Sequence, residues 1–271
     1  MKTMETQMWG RPGPELAGDF MALLARAGLD TSAKGQAREG SMPVEIQATT
    51  VFAFHFSGGV LVVGDRRATA GNFIVSDTVD KVIELDQTSV LAIAGVPATA
   101  FEMARVLQHS FEYYRRSQLQ PLSLAAKVRA LARLLRENMP MALQGVGIVS
   151  PLFAGVETTP EGGVPRIFYY DPLGANFQSA DYVAAGSGSP AIRSVFGFET
   201  QFGRRKPSEM TLEEAVGFAL RLLLTASQFD SATGGVDPEK SGFATIKVLT
   251  PAGIRTIEPA EQTAMFRKVT A

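Results

Sequence analysis

The chain contains no cysteine. Disulfide frameworks and thiol nucleophiles are thereby excluded, and the cytosol is the default compartment. Histidine is almost as scarce, with His55 and His109 alone. Two isolated imidazoles without thiols make a poor zinc site, and a Ser-His-Asp triad would have to recruit one of them. His55 falls in an apolar strand pattern and His109 in a helical one beside Gln108, so both read as structural. No metal and no cofactor is expected. Neither sign of charge dominates: 26 Lys and Arg stand against 27 Asp and Glu, without a long basic run. That argues against nucleic acid or an anionic membrane as a partner. Long apolar runs are also missing. Phe20-Met-Ala-Leu-Leu-Ala25 is bracketed by Asp19 and Arg26 and is too short for a signal segment. Nothing approaches the ~20 apolar residues of a membrane span. A soluble, cytoplasmic protein is expected.

What is present is an ordinary globular composition, 45% hydrophobic and 20% charged, long enough for one α/β domain with an appendage. The appendage is residues 1–48. Leu16, Phe20, Leu23, Leu24 and Ala27 recur at helical spacing, with Gly28 as a stop, and the stretch from Asp30 to Pro43 reads as a linker. Such a short amphipathic helix cannot bury much surface alone and must pack on a partner or stay loose. From Thr49 the pattern changes. Thr49 to Phe56 is β-branched and aromatic, Ser57-Gly58-Gly59 turns the chain, and Val60 to Val63 returns it as a hairpin. Strands are expected at Lys81–Leu85 and Ser89–Ala94. Helices follow from Pro97 and after Pro121, then strands at Val146–Glu157, Arg166–Tyr170 and Tyr182–Ala185. A long helix spans Thr211 to Phe229, and a hairpin around Pro251-Ala-Gly253 closes the reading. Strands cluster instead of alternating with helices, which predicts an α+β fold of antiparallel sheets covered by helix layers.

Chemistry has few places to lie. Gly186-Ser-Gly-Ser189 lacks the Lys-Ser/Thr ending of a phosphate loop, and no carboxylate spacing suggests a glycosidase. Three features remain. Thr49-Thr50 opens the compact region, Gly64-Asp65-Arg66-Arg67-Ala68-Thr69 ends its second strand, and Lys81 opens the third. Singly, each has a structural reading: a strand former, an exposed strand end, a solvated lysine. Together they resemble the N-terminal threonine hydrolases of the proteasome family. Thr49-Thr-Val and the run from Ser57 to Asn72 are similar to the opening of a proteasome β-subunit. Lys81 follows Thr49 by the family's 32 residues. Ala92-Ile-Ala-Gly95, Gly186-Ser187-Gly188 and Asp230-Ser-Ala-Thr233-Gly-Gly resemble its remaining active-site segments. The match covers roughly residues 49–257 and looks most like bacterial, actinobacterial-type core particles.

The resemblance implies a four-layer αββα sandwich, the N-terminal-nucleophile hydrolase fold, for a catalytic domain of residues 49–271 with a short C-terminal tail. Residues 1–48 would be a propeptide cut between Ala48 and Thr49. Thr49 would attack the peptide bond. Its freed α-amine, with a reference pKa near 8, is a suitable base where no histidine serves. By resemblance Lys81 lowers the hydroxyl pKa and Asp65 holds Lys81. Ser187, Asp230 and Thr233 orient the amine and a water, and the Gly95 N–H meets the oxyanion. Ala68, Thr69, Val79, Ile93, Pro97 and Phe101 would bind substrate in an apolar, chymotrypsin-like pocket. The implied partners are α-type subunits and further copies in stacked heptameric rings, an ATPase regulator through the α ring, and unfolded polypeptides. Three residues depart from the family pattern. Ala48 stands for the usual glycine, Thr233 for a common serine, and Pro97 lacks an N–H that commonly pairs with the substrate. Two alternatives stay open: a non-catalytic β-like subunit, which Ala48 favours, and a small-molecule amidase of the same nucleophile class.

Overall fold

The computed structural model describes residues 20–26, 49–70, 73–179, 181–235 and 244–270. Helix α1 (Phe20–Arg26) stands first. Three hairpins follow: β1 (Thr50–Phe56) with β2 (Gly59–Gly64), β3 (Ala68–Ala70) with β4 (Phe73–Ser76), and β5 (Val82–Asp86) with β6 (Ser89–Ala92). Helices α2 (Pro97–Gln118) and α3 (Leu124–Ala142) lead to β7 (Leu152–Thr159), β8 (Gly162–Tyr170), β9 (Asn176–Ser179) and β10 (Tyr182–Gly186). Then come α4 (Ser189–Phe202), α5 (Leu212–Phe229), the hairpin β11 (Thr245–Thr250) and β12 (Gly253–Thr256), and α6 (Pro259–Thr270).

Two five-stranded sheets carry the fold, ordered β10-β1-β2-β11-β12 and β5-β6-β7-β8-β9, with antiparallel neighbours throughout. Side chains alternate across a strand, and β1 uses both faces. Phe52, Phe54 and Phe56 pack under α4 and α5, together with Ile192, Phe196 and Phe218. Val51 and Ala53 point the other way, into a layer shared with Val82, Val90 and Leu152 of the second sheet. The far face of that sheet, with Leu91, Phe153 and Phe168, is covered by α2 and α3. This is the expected α+β sandwich, in four layers αββα.

Local chemistry sets the helix starts. Pro97 occupies the first turn of α2, where its missing N–H costs nothing. Ser123 caps α3 by accepting from the Ala126 N–H at 3.3 Å. Thr211 and Glu214 form a reciprocal capping box at α5, the Thr211 N–H donating to the Glu214 carboxylate at 2.7 Å. Helix α5 is buried along Ala215, Val216, Phe218, Ala219, Leu222, Leu223 and Ala226, which anchors its C-terminal end at Asp230.

One charged pair crosses the outer core. Lys127 of α3 is 2% exposed and reaches Asp86 at the end of β5 at 2.6 Å. Its ammonium also meets Thr88 Oγ1 at 2.8 Å and lies 5.5 Å from the centre of the Phe111 ring. Burial holds the Lys127 pKa below its ordinary value, against the pull of Asp86. Burial alone would raise the Asp86 carboxyl, but Lys127 and the Ser89 and Thr88 donors outweigh it and leave the pKa below the usual value.

The described chain departs from the sequence reading in several places. β3, β4, β9, α4 and α6 were not foreseen as separate elements, and α6 follows the closing hairpin. β7 begins at Leu152 instead of Val146, because residues before Pro151 form a turn from which Val149 makes a single bridge to Gly95. Of the residues at helical spacing near the N-terminus, Phe20, Leu23 and Leu24 are half-buried, and the Phe20 ring lies 6.4 Å from His109 and 5.8 Å from Tyr113 of α2. Leu16, Ala27, Gly28, the linker and Ala48 lie outside the described residues.

Candidate active site

Thr49 sits immediately before β1 and is 4% exposed. Its carbonyl accepts the Ser187 N–H at 3.1 Å. The approach demands glycine at position 186. There φ is +92°, and a Cβ would fall 1.6 Å from the Thr49 carbonyl oxygen. The strand pairing of Thr50 with Gly186 therefore brings the end of β10 directly against the backbone of Thr49.

Asp65 follows β2 and is 1% exposed. Its N–H donates to the Thr50 carbonyl at 3.0 Å, and its Oδ1 accepts the Thr50 N–H at 2.8 Å. The same oxygen accepts from Lys81 Nζ at 2.6 Å. Asp65 Oδ2 takes the backbone N–H groups of Arg67 at 3.0 Å and Gly234 at 2.9 Å. Each carboxylate oxygen thus has two donors, which satisfies the buried group and holds it in place. Lys81, 1% exposed, donates also to the Arg67 carbonyl. Burial holds the Lys81 pKa below the ordinary lysine value, with Asp65 pulling the other way. The Thr50 N–H belongs to the peptide group joining Thr49 to Thr50. Lys81 and that peptide share one oxygen of Asp65, so the ammonium lies two hydrogen bonds from the Thr49 backbone.

A second polar set closes from the other side. Asp230, at the end of α5, accepts Ser187 Oγ and Thr233 Oγ1 on Oδ2, both at 2.6 Å. Its Oδ1 accepts the Ala232 N–H at 3.1 Å, and its carbonyl the Thr233 N–H at 3.1 Å. Thr233 Oγ1 lies 2.6 Å from Thr50 Oγ1. Arg67 links the two sets, since its Nη1 donates to the Ser231 carbonyl at 3.2 Å while its Nε pairs with Asp77 at 2.9 Å. The structure therefore brings together Thr49, Asp65, Lys81, Ser187, Asp230 and Thr233, all singled out in the sequence.

Two of the residues expected to contact substrate, Val79 and Ile93, are joined to this core through the backbone. The Ile93 N–H donates to the Lys81 carbonyl at 2.9 Å, and the Val79 N–H to the Arg66 carbonyl at 3.0 Å. Ala68, Thr69 and Ile93 are buried, while Val79, Pro97 and Phe101 are partly exposed. Gly95 has φ +111°, and a Cβ there would meet the Ile148 carbonyl at 2.1 Å, so no other residue fits that turn. A separate groove of about 300 Å3 lies between α2 and α3 beside Thr99, Glu102 and Asn138, and contains none of these residues. His55 and His109 stand apart from the cluster. Burial depresses the His55 pKa, and the His109 ring bonds the Arg105 carbonyl at 2.8 Å. Among the described residues, no group of three or more His, Cys, Asp or Glu could hold a metal ion.

The sequence profile described as "Proteasome subunit" matches residues 46–237, more than half of the chain. The chain belongs to the proteasome subunit family. Among similar family members is "Proteasome subunit beta" of Acidimicrobium ferrooxidans, 37% identical over 252 residues, 92% of this chain and 86% of that protein. "Proteasome subunit beta 2" of Thermomonospora curvata is 36% identical over 89% of this chain and 84% of its own. "Proteasome subunit beta" of Streptomyces griseus is 36% identical over 82% and 75%. The resemblance to bacterial, actinobacterial-type subunits agrees with these relatives. Membership also accounts for the sandwich, since a proteasome subunit places its two sheets back to back between helix layers.

Two contributors to this proteasome-family site escaped the sequence reading. The Arg67 carbonyl and the Gly234 N–H are backbone groups and carry no residue signature. Thr50 did leave a signal. It occupies the position in the β1 alternation where Phe52, Phe54 and Phe56 are apolar, so its hydroxyl had to find a partner in the helix layer.

Proposed function

We propose that the chain is the catalytic β-subunit of a cytoplasmic proteasome core particle and cleaves peptide bonds of unfolded proteins with the Thr49 hydroxyl. The observation that carries this reading is the buried Lys81–Asp65 pair, locked to the peptide between Thr49 and Thr50, facing the Ser187–Asp230–Thr233 set. Removal of residues 1–48 turns the Thr49 nitrogen from an amide into an amine, and only the amine can take a proton. The amine accepts the hydroxyl proton as Oγ bonds to the substrate carbonyl carbon. The nearby Lys81 ammonium lowers the cost of the developing alkoxide, and the Gly95 N–H stabilises the tetrahedral oxyanion. Collapse breaks the carbon–nitrogen bond, and the amine returns its proton to the leaving nitrogen. A water, deprotonated by the same amine, then hydrolyses the acyl ester and regenerates Thr49.

By resemblance, Ala68, Val79, Ile93, Pro97 and Phe101 line the pocket beside Thr49, and none of the five carries a charge. An ionic substrate side chain would be desolvated there without a partner, whereas an aromatic or leucine side chain gains from burial. α-Type subunits and further copies of the chain complete the rings, with an ATPase feeding substrate through the α ring. The test combines intact mass with turnover of fluorogenic peptides differing only at the residue before the cut. The assembled particle should contain a chain beginning at Thr49, cut after tyrosine or leucine faster than after arginine or glutamate, and lose turnover in Thr49→Ala. A particle that keeps its leader and cuts nothing supports the non-catalytic reading. Full activity in Thr49→Ala refutes the threonine mechanism.

A further inference from the structure

Thr50 is fully buried, as is Thr233. Its hydroxyl oxygen receives the Gly188 N–H at 3.1 Å and lies 2.6 Å from Thr233 Oγ1. Chemistry fixes the direction of that second contact. A carboxylate only accepts hydrogen bonds, and Asp230 Oδ2 is 2.6 Å from both Thr233 Oγ1 and Ser187 Oγ. The single hydroxyl hydrogen of Thr233 is therefore committed to Asp230. The Thr50–Thr233 contact must then run from the Thr50 O–H to the Thr233 oxygen. The resulting chain has one polarity: Gly188 N–H to Thr50, Thr50 to Thr233, Thr233 to Asp230, with Ser187 converging on the same carboxylate.

The three groups are tightly packed: a Cβ at Gly188 would lie 2.5 Å from both Thr50 Oγ1 and Thr233 Oγ1. One acceptor direction of the Thr233 oxygen is filled by Thr50, leaving the remaining one for a single additional donor.

We infer that Thr50 is a positioning residue of the active site. Its hydroxyl orients Thr233 so that the free acceptor of Thr233 meets the protonated amine of Thr49. This inference rests on the proposed reading of Thr49 as an N-terminal nucleophile that uses its own amine. Loss of the Thr50 hydroxyl orphans the Gly188 N–H and frees Thr233 to turn, which withdraws support from the ammonium form of the amine. A less stabilised ammonium releases its proton at lower pH. The acid limb of kcat/KM, which reports the free enzyme's base, moves down with it.

The experiment uses assembled, leader-free particles and a fluorogenic peptide with tyrosine before the cut. Thr50→Val keeps the branched shape and strand preference while removing the hydroxyl. It should lower kcat at least about tenfold, leave KM within about twofold, and move the acid limb of kcat/KM to lower pH. Thr50→Ser should restore kcat to within about threefold of wild type and return the limb. If the valine variant fails to assemble, Thr50→Ala and Thr50→Ser, which differ from each other only by the hydroxyl, carry the same comparison. Unchanged kcat and an unmoved limb in the hydroxyl-free variant overturn the inference, and so does equal damage in the serine variant, because the role then lies in shape. Thr49→Ala separates the two levels. If it is inert while Thr50→Val behaves as wild type, only the role of Thr50 fails. If Thr49→Ala stays active, the reading beneath it fails too.

Discussion

Strand β5 is flanked by two lysine–aspartate pairs, each with a buried lysine and the same short contact, although Asp65 is fully buried and the Asp86 side chain is 24% exposed. Lys81 precedes the strand and pairs with Asp65; Asp86 ends it and pairs with Lys127. Both contacts are 2.6 Å, both lysine side chains are 2% exposed, and burial depresses the pKa of both ammonium groups. Their surroundings differ. Asp65 is held by backbone N–H groups from three separate segments, one of which is the peptide joining Thr49 to Thr50. Asp86 is held by Ser89 and Thr88 from the next turn, and Lys127 lies against the Phe111 ring. A buried ion pair is thus not a sign of chemistry in itself. The proposed role of Lys81 comes from the backbone that its partner also grips, while Lys127 fastens α3 to the β5–β6 hairpin.

The largest expected effect tests that distinction on activity. Lys81→Met should reduce peptide turnover by on the order of a thousandfold or more, because the neighbouring charge is gone when the alkoxide forms. Lys81→Arg should not rescue it, since a planar guanidinium cannot fill the site of a compact ammonium. Turnover per assembled subunit is the measurement, and near-normal rates in Lys81→Met would erase the contrast between the pairs.

The second effect is on stability. Lys127→Met leaves the partly buried Asp86 without its cation and should cost about 1–3 kcal/mol, read from denaturant midpoints. Turnover by the surviving folded particle should stay within about twofold of wild type. The double change Lys127→Met with Asp86→Leu should recover most of the lost stability, because breaking a buried pair costs more than replacing it. A stability loss confined to the Lys81 variant would show that the outer pair is ornamental.

The smallest effect is a pH dependence. The folded Asp86 pKa lies below its unfolded value of 3.8, so its contribution to stability is complete above that pH. It is lost as pH falls through the folded value, because the unfolded chain binds the proton first. Asp86→Asn lacks this titration. Urea midpoints of wild type and variant should therefore differ by a constant amount above the ordinary carboxylate range and converge below it. Parallel curves across the acid range would remove Asp86 from the account.

How much of this was visible in the sequence follows from distance along the chain. The β1–β2 hairpin was legible because Gly58-Gly59 interrupts two apolar runs whose period matches a strand. The β3–β4 hairpin was hidden by its shortness and by a register shift between Ala68 and Thr69. Helix α4 was masked because Gly186-Ser-Gly-Ser189 reads as a loop, and because Phe198 and Phe202 put large apolar groups on its exposed face. The leading side chains of the candidate site were identified through resemblance, since singly each had a structural explanation. The Lys127–Asp86 pair was not foreseen. Its partners sit on different elements, and nothing local marks either as buried.

The hydrogen bonds around Thr49 and Thr50 also set an order of events in time. Asp65 is only 15 residues from Thr50, so that half of the cage belongs to an early hairpin. Gly188 is 138 residues from Thr50, Thr233 is 183 residues from it, and Gly234 is 169 from Asp65. Contacts of such separation form late, because the intervening chain must be ordered before they are rewarded. On the ribosome, the second half cannot close until residue 234 has left the exit tunnel. A nascent chain therefore carries its threonine and lysine for most of its synthesis without the Asp230 set beside them. The contacts of Thr233 and Gly234 with Thr50 and Asp65 act as a timer, withholding the complete cage until most of the subunit has been made.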